Sequence, residues 1–253
     1  MADKTLQLLF DADMLVFRGS STCEKETKWY DNLWTLHADA AEAAAYVDDA
    51  VASLTEKILN HYKYDGAYQI IMCFSDANNF RKTILPTYKL NRADKRKPVC
   101  YYGVKEWVQQ NFTCYQRPGL EADDCMGILA THKEPNAILV SGDKDFKTVP
   151  GRFYDFLRDT YYEITPEEAD YWHLYQTLIG DVADNYKGCP GIGPVGAHKL
   201  LNENPTWNTV VQAFEKKGLT ENDALTQARV ARILRASDYD FKTKQPKLWS
   251  PPK

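Results

Sequence analysis

Acidic residues recur where apolar runs stop. Asp11 closes Leu6 to Asp11, Asp76 follows Tyr68 to Phe74, and Asp143 and Asp145 follow Ile138 to Val140. Glu121, Asp123 and Asp124 sit together in LEADD, and Asp181 and Asp184 follow Ile179-Gly180. Carboxylates brought to one place repel one another, and burial makes their charge costlier still. Hard cations relieve both problems. Mg²⁺ takes oxygen ligands and keeps several waters, so a few carboxylates and a substrate phosphate can hold it. Two such ions about 3.5–4 Å apart suit cleavage of a phosphodiester. Taken singly, an aspartate at a strand end is more often the N-cap of the next helix. Asp13, directly before Met14-Leu15-Val16-Phe17, fits that reading best. Capping leaves the joint placement of the others unexplained.

The elements that must position these acids are legible in outline. The three apolar runs read as buried strands. Residues 38–60 carry Val47, Val51, Leu54 and Ile58 at helical spacing, with Asp48, Asp49 and Glu56 off that stripe. Residues 77–102 lack a strong period. Short helices are expected over 103–112 and from Glu121 to His132. Thr165-Pro166-Glu167-Glu168 has the form of a capping box with proline at the first helical position. Gly188 to Gly196 reads as a tight hairpin loop, with two or three helices and an irregular tail after it. The implied class is α/β, a mostly parallel central sheet with helices on both faces. Ligands of such sheets bind beyond the carboxyl ends of the strands, which is where the acids fall.

Composition narrows the function classes. The chain has 253 residues, 44% hydrophobic and 26% charged, ordinary values for a globular protein. No stretch approaches the roughly 20 apolar residues of a membrane span. The start, MADKTLQLLFDAD, is not that of a signal peptide, so a cytoplasmic protein without membrane partners is expected. The 6 cysteines form no CxxC pair and the 5 histidines no HxxxH pair, which disfavours zinc and disulfide frameworks. A net charge of −4 does not advertise a nucleic-acid binder, but the charge is unevenly spread. Arg81, Lys82, Lys89, Arg92, Lys95, Arg96 and Lys97 crowd one segment against a single acid, Asp94.

FDADMLVFR, FSD followed by FRKTILPTYKLNR, LEADD, SGDKDF and GDVADNYKGCPGIG together resemble the 5′ nuclease family, in family order over about residues 6–200. That family includes flap endonucleases and the 5′ nuclease domains of bacterial DNA polymerases. QARVARILRASDYDF looks closest to the exonucleases of short-tailed bacteriophages.

The resemblance implies a catalytic α/β domain over 1–165 with an arch near 77–110. It implies a helical DNA-binding region over 166–253, with a helix-hairpin-helix-type turn, that contributes Asp181 and Asp184. Asp11, Asp76, Glu121, Asp123 and Asp124 would serve one Mg²⁺, some through water, and Asp143, Asp145, Asp181 and Asp184 the second, with Mn²⁺ as a substitute. Asp13 stays outside the shared ligand pattern, as a cap or a support. Lys89 and Arg92 match the arch segment YKxxR and would contact the scissile phosphate. Arg18 would contact phosphate or pair with the acids. Arg81, Lys82, Lys95 and Arg96 would neutralise the backbone. Gly191, Ile192 and Gly193 would form the hairpin, with K⁺ there, and Lys199 would replace a lysine that Pro194-Val195-Gly196 lacks. The implied substrate is DNA, chiefly duplex with a 5′ end or flap, and also RNA in RNA–DNA hybrids, in phage replication or degradation. No protein partner is implied.

Three rivals are weighed. A haloacid-dehalogenase-like phosphatase also places DxD after a strand, but does not predict LEADD. A non-catalytic DNA binder gains little from acids facing phosphate. A PIN-like RNA nuclease is closer, though the turn after Asp184 favours duplex DNA.

Overall fold

The computed structural model describes residues 5–133 and 136–252. Met1–Lys4, the start of the expected non-signal N-terminus, and Lys253 of the expected tail lie outside the described residues. Strand β1 (Leu6–Asp11) runs straight into helix α1 (Ala12–Thr22). A hairpin, β2 (Lys25–Tyr30) and β3 (Leu33–His37), leads to the long helix α2 (Ala40–Tyr62). Next come β4 (Tyr68–Cys73), α3 (Arg81–Ile84), α4 (Tyr101–Asn111), β5 (Cys114–Tyr115) and α5 (Ala122–Ala130). Strands β6 (Ala137–Ser141), β7 (Gly151–Asp155) and β8 (Thr160–Ile164) follow. The C-terminal part holds α6 (Pro166–Ile179), α7 (Pro194–Glu203), α8 (Trp207–Glu215) and α9 (Glu221–Ala231), then a minimal ladder of β9 (Tyr239–Asp240) and β10 (Gln245–Pro246).

The main sheet has the order β5-β4-β1-β6-β7-β8. Its pairings are parallel except the last, where β8 runs against β7. From β1 the chain moves outward through β4 to β5. It then returns to the other side of β1 to lay down β6. This reversal puts a topological switch point between β1 and β6, where α/β sheets open a ligand crevice.

The two faces of β1 show why both sides need helices. Leu6, Leu8 and Phe10 pack with Val47, Val51 and Ile58 of α2 and with Val104 and Val108 of α4. Leu9 points the other way, into Cys125, Met126 and Ile128 of α5 and into Ile233 and Leu234. Side chains alternate across a strand, so a continuous apolar run requires cover on both faces. Helices α6–α9 gather around Leu174, Leu178, Leu201, Val210 and Phe214. At the start of α6, the Thr165 hydroxyl accepts from Glu168 N (3.2 Å) while Thr165 N donates to Glu168 Oε2 (2.9 Å), with Pro166 at the first helical position as expected.

The β2–β3 and β7–β8 hairpins were not among the expected elements. The aperiodic segment 77–102 contains α3 and a single 3₁₀ turn over Leu90–Arg92. No helix among the described residues is long and apolar enough to cross a membrane.

Candidate active site

Asp11 sits at the switch point. One carboxylate oxygen accepts from Met14 N at 3.1 Å, which makes Asp11 the N-cap of α1. The other accepts from the hydroxyl of Ser141, at the end of β6, at 2.9 Å. The cap expected of Asp13 therefore belongs to Asp11. Asp13 lies in the first turn of the helix and accepts from Ser75 N (2.7 Å) and the Tyr101 hydroxyl (3.1 Å), tying α1 to the segment after β4 and to the start of α4. Ser141 and Tyr101 are supports the sequence reading missed, although Ser141 opens the SGDKDF run.

Asp123 and Asp143 lie near Asp11, and Asp145 lies near Asp143. Asp143 accepts from Asp145 N at 2.9 Å and so caps the 3₁₀ turn Lys144–Thr148 that presents Asp145. One oxygen of Asp145 is buried without a hydrogen-bond partner. Burial, then Asp13 and Asp143, push the Asp11 carboxyl up to about 7. Burial, then Asp143 and Asp181, push Asp145 up to about 8. Asp123 is raised by burial and by the charges of Asp11 and Asp143, and Asp143 chiefly by burial. These groups share one low-polarity hollow with too much negative charge.

Asp181 and Asp184 reach this hollow from the connection between α6 and α7. Asp181 accepts from Ala183 N (2.6 Å) and Asp184 N (3.2 Å), and its main chain bridges Tyr186 in both directions. The turn is closed at its base by two glycines of positive φ, Gly180 (69°) and Gly188 (63°). A Cβ on either would come within 2.4 Å of the opposite main chain.

On the other side of the acids, cations are built in. Lys89 donates to Glu121 and lies 3.5 Å from Asp184. The buried Tyr88 hydroxyl donates to both, to Glu121 at 2.9 Å and Asp184 at 3.0 Å, and Arg92 pairs with Asp184 at 2.5 Å. Burial opposes the charge of Glu121, yet Lys89 and Arg81 outweigh it and hold the carboxyl at about 2. Tyr88 was quoted in the motif and given no role.

Three expected site residues take other positions. Arg81 was expected on DNA but is 2% exposed. It grips Asp124 through two hydrogen bonds of 2.7 Å and donates to the carbonyls of Val230 and Arg232. Asp124, expected as a metal ligand, is fully buried; it spends one oxygen on Arg81 and Glu121 N and the other on Arg81 and Leu234 N. Asp76 turns to the 116–120 segment, where Gly119 N (2.8 Å), then the amides of Ala77 and Asn78 beside it in the chain, hold its carboxyl below the usual range. Among the described residues, no three His, Cys, Asp or Glu side chains form a ready-made metal cage.

The expected DNA contacts are scattered. Arg18, Lys82, Lys95 and Lys199 are exposed, and no ion pair joins Arg18 to the acids among the described residues. Arg96 is held by Glu24 at 2.7 Å. Gly191 has a positive φ of 75°, with Lys217 Nζ 3.5 Å from the position of a Cβ, a cation not anticipated. Gly193 caps α7 in open space, with Ile192 packed beneath against the α6–α9 core.

Comparison with known proteins places this geometry in context. Residues 7–169 match the family model "5′-3′ exonuclease, N-terminal resolvase-like domain". The chain is 33% identical to the exonuclease of Escherichia phage T7, covering 96% of this chain and 93% of that one. It is 32% identical to the exodeoxyribonuclease of Enterobacteria phage T3, covering 96% and 92%. Among solved structures it resembles the T5 5′-exonuclease with bound zinc, with a TM-score of 0.63 over 90% of this chain and 89% of that one. At 16% identity, that likeness concerns the fold.

Proposed function

The chain belongs to the 5′-3′ exonuclease family, and on that premise we propose that this hydrolase cuts DNA from 5′ ends with two divalent cations, Mg²⁺ or in its place Mn²⁺. The observation that carries the reading is the hollow at the switch point, where buried carboxylates face one another uncompensated and one oxygen of Asp145 has no partner. An oxygen-only donor set fits a hard cation. Asp11, Asp123, Asp143, Asp145 and Asp181 are the proposed holders, with Glu121 and Asp184 joining as Lys89 and Arg92 turn to substrate. Bound there, such cations supply an activated water and offset charge on the departing oxygen. Asp76 would act through water; Asp124 and Arg81 would hold the frame.

Lys89 and Arg92 are proposed to meet the scissile phosphate. Both lie beside the acids and carry charge that a phosphate can claim. Lys82 and Lys95 would neutralise phosphates farther along, with Arg18, Arg96 and Lys199 as lesser contacts. The α6–α7 connection would receive the duplex backbone at Gly191–Gly193 and the start of α7, where free N–H groups favour anions. Lys217 would assist, and a K⁺ would sit at this turn. Domains would divide near residue 165.

The test is cleavage of 5′-labelled duplex, flap and RNA–DNA hybrid substrates with Mg²⁺, with Mn²⁺ and with chelator. Cleavage from the 5′ end in either metal, and none in chelator, is expected. Full activity in chelator, or rescue by zinc alone, would sink the two-metal reading. Product lengths separate stepwise removal from flap cutting, and the hybrid arm decides whether RNA is accepted.

A further inference from the structure

A second polar hollow lies away from the acids and shares none of the residues named for catalysis. It is a cleft of about 850 Å³ between the N-terminal half of α6, the start of α8, the 232–238 segment and the tail. Arg232, Arg235 and Lys247 line it, against Asp170 and Asp238. Arg232 is 4% exposed. Its Nε pairs with Asp238 at 2.8 Å, but its Nη1 is buried without a hydrogen-bond partner, 3.9 Å from Asp170. The same oxygen of Asp170 already serves Arg235 at 2.8 Å. The two guanidiniums thus share Asp170 and Asp238, with the exposed Lys247 beside them in the lining, and burial together with Arg232 pushes the Arg235 guanidinium down. A buried, charged N–H left without a partner invites an anion.

Three aromatic rings, His173, Trp207 and Trp249, also line the cleft. Trp249 packs edge-on against Trp207 (5.1 Å between ring centroids) and His173 (4.9 Å). Burial and the two arginines hold His173 down at about 3, so the ring is neutral. Indoles beside a guanidinium with an unpartnered buried N–H suit a ligand with a flat ring and a phosphate. The volume exceeds what inorganic phosphate needs.

We propose that this cleft binds a free nucleoside 5′-monophosphate, with its phosphate toward Arg232 and Lys247 and its base against Trp249. The inference does not depend on the two-metal reading.

The test is calorimetric titration of the full chain in chelator with dAMP, deoxyadenosine and inorganic phosphate. Saturable dAMP binding is expected, tighter than for either half alone. Trp249→Ala should weaken it about tenfold, the usual size of a base-stacking loss. Lys247→Ala should weaken it less; this side chain is exposed, so the variant carries the test if Trp249→Ala unfolds. Asp145→Asn should leave it unchanged. No saturable binding at millimolar dAMP, equal affinity for inorganic phosphate, or insensitivity to both cleft variants would overturn the proposal. So would loss of binding in Asp145→Asn, which would move the nucleotide to the acid cluster. A 5′-phosphorylated single strand that binds with Trp249 sensitivity where dAMP does not would make the occupant a DNA strand and overturn it equally.

Discussion

The acids at the strand ends divide into two halves with opposite electrostatics. Glu121, Asp124 and Asp184 are met by Arg81, Lys89, Arg92 and the Tyr88 hydroxyl. Asp11, Asp123, Asp143 and Asp145 form no ion pair among the described residues, and the nearby Lys89 and Lys144 do not offset their burial and mutual repulsion. One half is charge-balanced by the protein itself. The other is left in deficit, which the proposed cations would offset. Glu121 in the one is accordingly pushed down to about 2, and Asp145 in the other up to about 8.

The largest expected effect lies in the balanced half. Asp124→Asn leaves Arg81 buried against a neutral partner, and breaking such a pair costs about 3–5 kcal/mol. Denaturant unfolding should register that loss with and without metal. In the half in deficit, Asp145→Asn should cut single-turnover cleavage by about 10²–10³-fold, the scale of losing one transition-state charge stabiliser. The same change should raise the melting temperature in chelator, because it removes repulsion. A lower melting temperature there, or wild-type turnover, would erase the distinction between the halves.

Lys89 tests the boundary. Lys89→Ala should slow bound-substrate cleavage more than it weakens DNA binding measured in Ca²⁺. The reverse pattern would make Lys89 a tether.

Stability against pH should bend in opposite senses. Glu121 has a folded value below its unfolded one, so its contribution is present above about 4.5 and fades as pH falls toward 2. His173, held at about 3, withdraws stability as pH falls below its free value. Asp11 and Asp145 are raised, so the metal-free protein should lose stability as pH rises from about 4 through 7 and 8. Melting temperatures in chelator from pH 4 to 9 should therefore pass through a maximum on the acid side, and Mg²⁺ should remove the alkaline decline. A flat profile in chelator would mean that the carboxylates do not share a hollow. Smallest of all, Lys95→Ala should leave the cleavage rate of bound DNA intact and flatten the salt dependence of binding by about one unit of slope.

The sequence made the switch-point acids legible because parallel strands send their carboxyl ends to one edge. It could not tell Asp123 from Asp124. Adjacent helical residues differ by about 100° around the axis. Which one meets the hollow depends on Arg81 and Leu234 N, partners distant in the chain. Arg81 looked like part of a basic strip for the same reason: a guanidinium's burial partner cannot be seen locally. Asp76 turned aside because Gly119 offers amides that a strand-end rule does not count. The β2–β3 hairpin did leave a signal, Asp31-Asn32 between two β-rich runs, a pair common in tight hairpin turns. Its side chains are largely exposed on both faces, so no alternation marked the strands.

The contact between Gly180 and Gly188 bears on how the molecule assembles. Closing so short a loop costs little chain entropy. The turn with Asp181 and Asp184 is therefore local structure attached to the end of α6, and it travels with that helix. Asp143 and Asp145 belong to the sheet. Their repulsion with Asp181 and Asp184 acts across the junction where α6 docks on the Lys144–Thr148 turn. A cation in the hollow would cement that junction, so the ion that serves chemistry would also hold the sheet and the helices together.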